Sequence, residues 1–302
     1  AKWSADGKYV VTCGHDKTLR LWNPMRADTS TAATVQALQA MQIKAYTGPH
    51  GYEVTDVALA HDNSRFVSCG GDRAAFLWDV STGLVLRRFE AHTQRINAVA
   101  LNHQHEDSVM LTAGYDQTVR CWDMRARNRE PMFVLNDFRD SVTAVTTSDH
   151  EIITSCVDGC VRIHDIRTGQ FHSDNLGQPL TSAILSRDGR CILASRIGSV
   201  VVLLDKASGD KLGVFRGHVH KQYGVQSCFV SEDMMVASGS EDGGVFIWDI
   251  MDPAKRFHLK EHGNFAVCGV SAQPTTEKDD SRRLISCSND GCAVLWVQAT
   301  GE

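Results

Sequence analysis

Apolar residues along this chain fall in short alternating runs, and each run ends at a cluster of Gly, Asp, Asn or Ser. The stretch from Val54 to Phe89 shows the unit. Val54 to Ala60 alternates and stops at His61-Asp62-Asn63. Arg65 to Cys69, Ala75 to Asp79 and Leu84 to Phe89 follow, separated by Gly70-Gly71-Asp72-Arg73 and Ser81-Thr82-Gly83. A two-residue period bounded by such turns predicts antiparallel strands joined as hairpins. Asp6-Gly7 and Asp188-Gly189 occupy the same first turn in other copies, where a positive φ favours Gly. No copy carries a long 3.6-residue period, so the pattern predicts an all-β chain.

The four-run unit repeats. A Trp or a substitute closes the third run at Trp22, Trp78, Trp122, His164, Leu204, Trp248 and Trp296. Six residues earlier stands an Asp, or Gly in one copy: Asp16, Asp72, Asp116, Asp158, Gly198, Asp242 and Asp290. A period of roughly 40–45 residues with Trp-Asp endings marks four-stranded propeller blades. Seven copies predict one seven-bladed β-propeller, with blades near 1–47, 48–89, 90–135, 136–175, 176–215, 216–260 and 261–302. Ala1 already lies in the first inner strand, and six residues follow Trp296 where other copies place fourteen before the next histidine. Blade 7 is therefore expected to lack its outer strand, an edge that such rings otherwise cover with an N-terminal strand.

Two intervals are long. From Trp22 to His50 there are 28 residues, against 14 from Trp78 to His92, Leu204 to His218 and Trp248 to His262. The excess lies in Ala27–Gln42, where Thr34 is suited to cap a short helix carrying Val35, Leu38 and Met41 on one face. It reads either as a tolerated surface insertion or as a docking helix. Thr275 to Arg283 is polar and reads as a mobile loop.

Composition narrows the function. At 42% hydrophobic and 22% charged the chain can bury a core. Its net charge of −5 removes the simple electrostatic basis for binding duplex nucleic acid. The local cluster Arg125, Arg127, Arg129 reads as a solvated loop or a small basic patch. The longest apolar run, Cys292 to Val297, is far too short for a membrane helix, and no membrane partner is expected. No secretory leader is visible, and an opening at Ala1 reads as a trimmed piece of a longer protein. Ten cysteines contain no Cys-x-x-Cys. Cys13, Cys69 and Cys287 hold the same place in three different blades. They read as small reduced core residues of a cytoplasmic and nuclear protein.

Four copies repeat a set that looks like hydrolytic chemistry: His50/Ser68/Asp72/Trp78, His92/Thr112/Asp116/Trp122, His218/Ser238/Asp242/Trp248 and His262/Ser286/Asp290/Trp296. A catalytic triad needs one nucleophile beside an oxyanion hole, not four copies around a ring. A buried Asp needs partners, and a His ring can link it to a hydroxyl and a Trp N–H, so these sets are read as structural tetrads. No phosphate loop, H-E-x-x-H or G-x-S-x-G occurs, so no catalytic residue, cofactor or metal is expected. His103 and His105 form a lone H-x-H, a weak metal signal.

Function is expected on the rim where the histidine loops and aspartate turns meet. The candidates are His15, Tyr52, Glu53, Arg95, Asn97, Tyr115, Arg139, Tyr223, Glu241 and Phe265, rich in the aromatic and Arg types that anchor interfaces. A second signal is Trp122-Asp123-Met124-Arg125 followed by His164-Asp165-Ile166-Arg167. It resembles the Trp-Asp-x-Arg signature of substrate receptors of cullin-type ubiquitin ligases, which makes Arg125 and Arg167 candidate adaptor contacts.

The whole chain resembles the WD-repeat family and, more narrowly, the mitogen-activated protein kinase organizer proteins. The narrower likeness rests on Asp16–Pro24 (DKTLRLWNP), Gly51-Tyr52-Glu53-Val54, Arg120-Cys121-Trp122-Asp123 and Ser148-Asp149-His150-Glu151-Ile152. It extends to Val157-Asp158-Gly159, Gly169-Gln170, Leu203-Leu204-Asp205-Lys206 and Ser240-Glu241-Asp242-Gly243, and to blades 4 and 5 where His164 and Leu204 replace Trp. The resemblance implies a non-catalytic scaffold for kinase-cascade components that also accompanies the spliceosome in pre-mRNA splicing. Partners would be splicing factors and kinase-cascade proteins, with RNA contact secondary. The Ala27–Gln42 insertion departs from the family pattern.

Overall fold

The computed structural model describes residues 1–27, 40–103, 106–126, 128–274 and 283–298. Among them no α-helix forms, and strands pair antiparallel in seven sheets. Six sheets have four strands, hydrogen-bonded in chain order. In blade 2 the strands are Val54–Leu59, Arg65–Gly70, Ala74–Asp79 and Val85–Glu90, each within a residue of the run that predicts it. The first strand of each blade lies innermost and touches the next blade's first strand. Val267–Ala272 meets Lys2–Trp3 and closes a seven-bladed ring.

The repeat Trp holds the ring together by reaching back to the preceding blade. Trp78 stacks on Phe66 of its own blade, centroids 5.6 Å apart, and meets Tyr46 from the outer strand of blade 1 at 5.8 Å. Trp122 meets Phe89 of blade 2 at 5.4 Å, and Trp248 meets Phe215 of blade 5 at 5.9 Å. All three indoles are fully buried. Burying an aromatic side chain contributes about 2–3 kcal/mol, so these contacts dominate blade-to-blade cohesion. In blade 5, Leu204 does the same work against Ile153 and Ile163 of blade 4. In blade 4, His164 is buried and stacks on Phe171 at 5.2 Å.

Blade 7 has three strands among the described residues: Val267–Ala272, Arg283–Ser288 and Ala293–Val297. The seam with blade 1 is thin. The Trp3 Nε1–H donates to the Ser271 carbonyl at 3.0 Å, and the Gln273 side-chain amide donates to the Gly7 carbonyl at 2.8 Å. Its core is Trp3, Val10 and Ile285, with Trp22 and Leu295 only partly buried.

The blade 1 insertion begins as a longer hairpin. Its third strand is Leu19–Ala27 and its fourth Ala40–Tyr46, with Ala27 opposite Ala40 and Asn23 opposite Met41. Met41 thus belongs to a strand and not to the expected helical face. Extending an existing ladder satisfies the backbone groups flanking an insertion at no new nucleation cost. Thr34, Val35 and Leu38 lie outside the described residues, as do positions 275–282.

Candidate protein-interaction rim

The turn after the second strand builds one rim of the ring. In every blade the residue following the repeat Asp, or following Gly198, has a left-handed backbone: Lys17, Arg73, Gln117, Gly159, Ser199, Gly243 and Gly291, with φ between 60° and 85°. In blades 2, 3 and 7 this conformation brings the Asp carboxylate back under the turn, where it meets the preceding histidine loop.

Three of the four expected networks have this geometry. In blade 2 the His50 ring bridges Asp72 at 2.6 Å and the Ser68 hydroxyl at 2.7 Å, while the Trp78 N–H donates to Ser68 at 2.8 Å. The Gly51 N–H donates to the other Asp72 oxygen at 2.8 Å. Blade 3 repeats this with His92 to Asp116 at 2.9 Å, His92 to Thr112 at 2.8 Å and Trp122 to Thr112 at 2.9 Å. Burial alone would raise the Asp116 pKa. Bonds from His92, Thr118 and the Thr93 N–H outweigh that and hold it well below the usual carboxylate range. Blade 7 has His262 to Asp290 and to Ser286, both at 2.8 Å, with Trp296 donating to Ser286 at 2.8 Å. Each network pins a histidine loop to an aspartate turn.

Blade 6 corrects the fourth expectation. His218, Ser238, Asp242 and Trp248 are present, but neither His218 ring nitrogen has a partner. The Trp248 N–H donates to the Arg216 carbonyl at 3.1 Å, and the Ser238 hydroxyl to the Gly239 carbonyl at 3.0 Å. The Asp242 carboxylate instead lies 3.9 Å from His258, whose ring stacks on Phe246 at 4.1 Å. The cause is the loop after His218. The residue opposite the tetrad hydroxyl lies seven positions after the histidine in blades 2 and 3, Val57 after His50 and Val99 after His92, but nine positions after it in blade 6, Ser227 after His218. This longer loop is held by the neighbours of Asp242. The Ser240 hydroxyl accepts the Val219 N–H at 2.9 Å. One Glu241 carboxylate oxygen accepts the N–H groups of Lys221, Gln222 and Tyr223 at 2.6, 2.6 and 3.0 Å. Burial, with the nearby His220 adding to it, pushes the His218 pKa down to about 4.

Blades 1 and 4, which have no loop histidine, hold the repeat Asp with Arg instead. Arg162 clamps Asp158 in blade 4 at 2.6 and 3.2 Å, its guanidinium 5.3 Å from the Phe138 ring centroid. In blade 1 Arg20 meets Asp16 at 2.6 Å. The spacing Asp-x-x-x-Arg, shared by Asp16/Arg20, Asp116/Arg120 and Asp158/Arg162, is a sequence signal for these pairs.

The rim candidates divide into two kinds. Tyr52, Tyr115, Tyr223 and Phe265 are 61%, 46%, 48% and 57% exposed, unusually high for large apolar side chains. Arg95 lies 5.0 Å over the Tyr115 ring, and its carbonyl accepts the Tyr115 N–H at 2.9 Å, so the pair is presented together. His15 and Arg139 are exposed as well. Asn97 and Glu241 differ from expectation: Asn97 donates across to Ser141 and Val142 of blade 4 at 2.8 and 2.7 Å, and Glu241 anchors the Tyr223 loop. Both side chains help to hold the rim in place. Glu53 is half-buried, its carbonyl accepting the Gly71 N–H at 3.1 Å.

Arg125 and Arg167 are exposed at the opposite end of blades 3 and 4. Arg125 pairs with Glu106 at 2.7 Å, and Arg167 lies 3.6 Å from its own Asp165. None of the ten cysteines is in a disulfide. Burial raises the thiol pKa of Cys13 to about 11 and those of Cys121 and Cys228 to about 12, which leaves them unreactive. His103 is held by Asp107 at 2.6 Å, and His105 lies outside the described residues.

Comparison with known proteins agrees with this architecture. A WDR41-type β-propeller family model matches residues 49–254, and a model of the WD domain, G-beta repeat, matches residues 1–23. The chain belongs to the WD-repeat β-propeller family, whose members serve as protein-interaction scaffolds. Among its relatives are proteins named WD repeat domain-containing protein 83. The rat protein is 44% identical over 83% of this chain and 75% of its own length, and the human protein 42% identical over 91% and 82%. A Dictyostelium discoideum homolog is 27% identical over 99% of this chain and 94% of its own length.

Proposed function

We propose that this propeller is a non-catalytic scaffold that presents the histidine-loop rim to several protein partners, in splicing or kinase-cascade assemblies of the cytoplasm and nucleus. The observation that carries the reading is the arc of exposed Tyr52, Arg95–Tyr115, Tyr223 and Phe265, set on turns that the buried networks and Glu241 hold rigid. Rigid aromatic anchors lose little conformational entropy on binding, which suits them to interface centres. The assemblies themselves are inferred from the resemblance to kinase organizer proteins, and RNA contact stays secondary to them. Proximity labelling with mass spectrometry tests the proposal. Wild type should label splicing factors or cascade kinases, and an Arg95→Ala/Tyr115→Ala/Tyr223→Ala variant should lose them. An unchanged set overturns the rim assignment.

A second reading is favoured by the exposure of Arg125 and Arg167 on consecutive blades. It makes the chain a substrate receptor of a cullin-type ubiquitin ligase. Co-purification of the damaged-DNA-binding adaptor, abolished by Arg125→Ala/Arg167→Ala, is its expected outcome. Absence of the adaptor, or equal recovery with the variant, removes it.

A further inference from the structure

A groove of about 720 Å³ opens between blades 2 and 3 and runs along the outer strand of blade 2, and none of the rim candidates lines it. Its lining holds five arginines, Arg65, Arg87, Arg88, Arg125 and Arg129, and one acid, Glu90. That concentration of positive charge stands on a chain whose net charge is −5.

The arginines have different tasks. Arg87, on the outer strand Val85–Glu90, donates to the carbonyls of Asp123, Ala126 and Asn128 and packs over the Phe89 ring at 4.4 Å. It straps the loop after Asp123 to blade 2 and so builds the groove wall. Arg88 pairs with Glu90, and Arg125 with Glu106. These are solvent-exposed pairs, which contribute little and exchange readily. Among the described residues, Arg65 and Arg129 have no ion-pair partner. The apolar part of the lining is Leu77, Leu86 and Met124, of which Leu86 is exposed.

We infer that this groove is a second docking surface, which takes an acidic peptide of a protein partner. Two carboxylates of the peptide would sit on Arg65 and Arg129, and an apolar side chain between them would lie on Leu86 and Met124. Planar guanidiniums suit carboxylates in two-point contact, and Glu90 and Glu106 already show the groove's margins accepting them. The apolar lining and the lack of any aromatic platform favour a peptide over single-stranded nucleic acid, which needs stacking surfaces. This surface is separate from the rim, so either can fail without the other.

The test is fluorescence anisotropy with a fluorescein-labelled ten-residue peptide of Glu and Asp around two Leu. The controls are its Gln/Asn counterpart and oligo-dT of equal charge. The acidic peptide should bind saturably and weaken with added salt. Arg65→Ala/Arg129→Ala should weaken it at least tenfold, and Arg129→Glu alone, at an exposed position, should do nearly the same. Glu106→Gln, by freeing Arg125, should tighten it about twofold. No saturable binding at 50 mM salt, equal binding by the double variant, or tighter binding of oligo-dT than of the peptide each overturns the inference.

Discussion

Blades 2 and 6 carry the same four residue types at the same spacing from Asp to Trp, yet only blade 2 assembles them. In blade 2 the Asp72 carboxylate takes both the His50 ring and the Gly51 N–H, and the turn is locked from below. In blade 6 the longer loop lets Ser240 and Glu241 take the backbone N–H groups, and Asp242 is left facing His258. A sequence signature names the residues, whereas the length of the adjoining loop decides whether they meet. What blade 6 gives up in buried hydrogen bonds it converts into a fixed loop carrying Tyr223 on the rim.

Substitutions at equivalent positions should separate the two blades. The largest effect is expected from Asp72→Ala, which strands the buried His50 ring and the Gly51 N–H. It should lower stability by about 3 kcal/mol in urea unfolding. Asp242→Ala should cost under about 1 kcal/mol, since its charged neighbours His258 and Lys260 are exposed and no buried histidine depends on it. Equal losses would show that the blade 6 network forms after all.

Acid sharpens the same contrast. His218 titrates near 4 in the folded chain, against an ordinary value of 6.5. As pH falls below 6.5 the unfolded chain takes up a proton that the folded chain refuses until about 4. Stability therefore declines across that window, by roughly 3 kcal/mol at full extent. Burial lowers the pKa of His50, His164 and His220 as well and steepens the same decline. The lowered Asp116 works elsewhere: its contribution is complete above 3.8 and is lost only as pH falls further. His218→Phe should flatten the slope between pH 6.5 and 4 in urea midpoints, and an unchanged slope would show that His218 is not buried neutral.

Smaller effects belong to single contacts. Glu241→Gln should raise amide exchange at Lys221, Gln222 and Tyr223 by about tenfold, equivalent to roughly 1.4 kcal/mol, while leaving Gly51 and Thr93 untouched. Ser238→Ala should cost under about 0.5 kcal/mol, whereas Ser68→Ala, which removes the bridge between His50 and Trp78, should cost about 2 kcal/mol.

The strands and the blade count were legible because they rest on local signals: two-residue alternation, turn residues and the Trp–Asp spacing. The exposure of the rim aromatics was legible too, since Tyr115 stands before the repeat Asp on a tight turn and Tyr52, Tyr223 and Phe265 stand in the loops that enter the inner strands. The fate of Asn97 and Glu241 was not, because the Ser141 and Val142 partners of Asn97 lie in another blade, and the donors to Glu241 become visible only once the loop is folded. The blade 6 departure had a sequence signal in the two extra positions between His218 and Ser227, as did the Arg162 clamp in its Asp-x-x-x-Arg spacing. The arginine groove had only a partial one: Arg125 and Arg129 are neighbours in sequence, whereas Arg65 and Arg88 are brought to them by the packing of blade 2 on blade 3.

The central claim is that this ring works through its rim and not through chemistry. Its most direct test is partner capture by the Arg95→Ala/Tyr115→Ala/Tyr223→Ala protein beside wild type, with thermal unfolding measured on both. The account predicts unfolding midpoints within about 2 °C, because these side chains are exposed, together with loss of the splicing or kinase-cascade proteins that wild type retains. Retention of the same partners by a folded triple variant would contradict it.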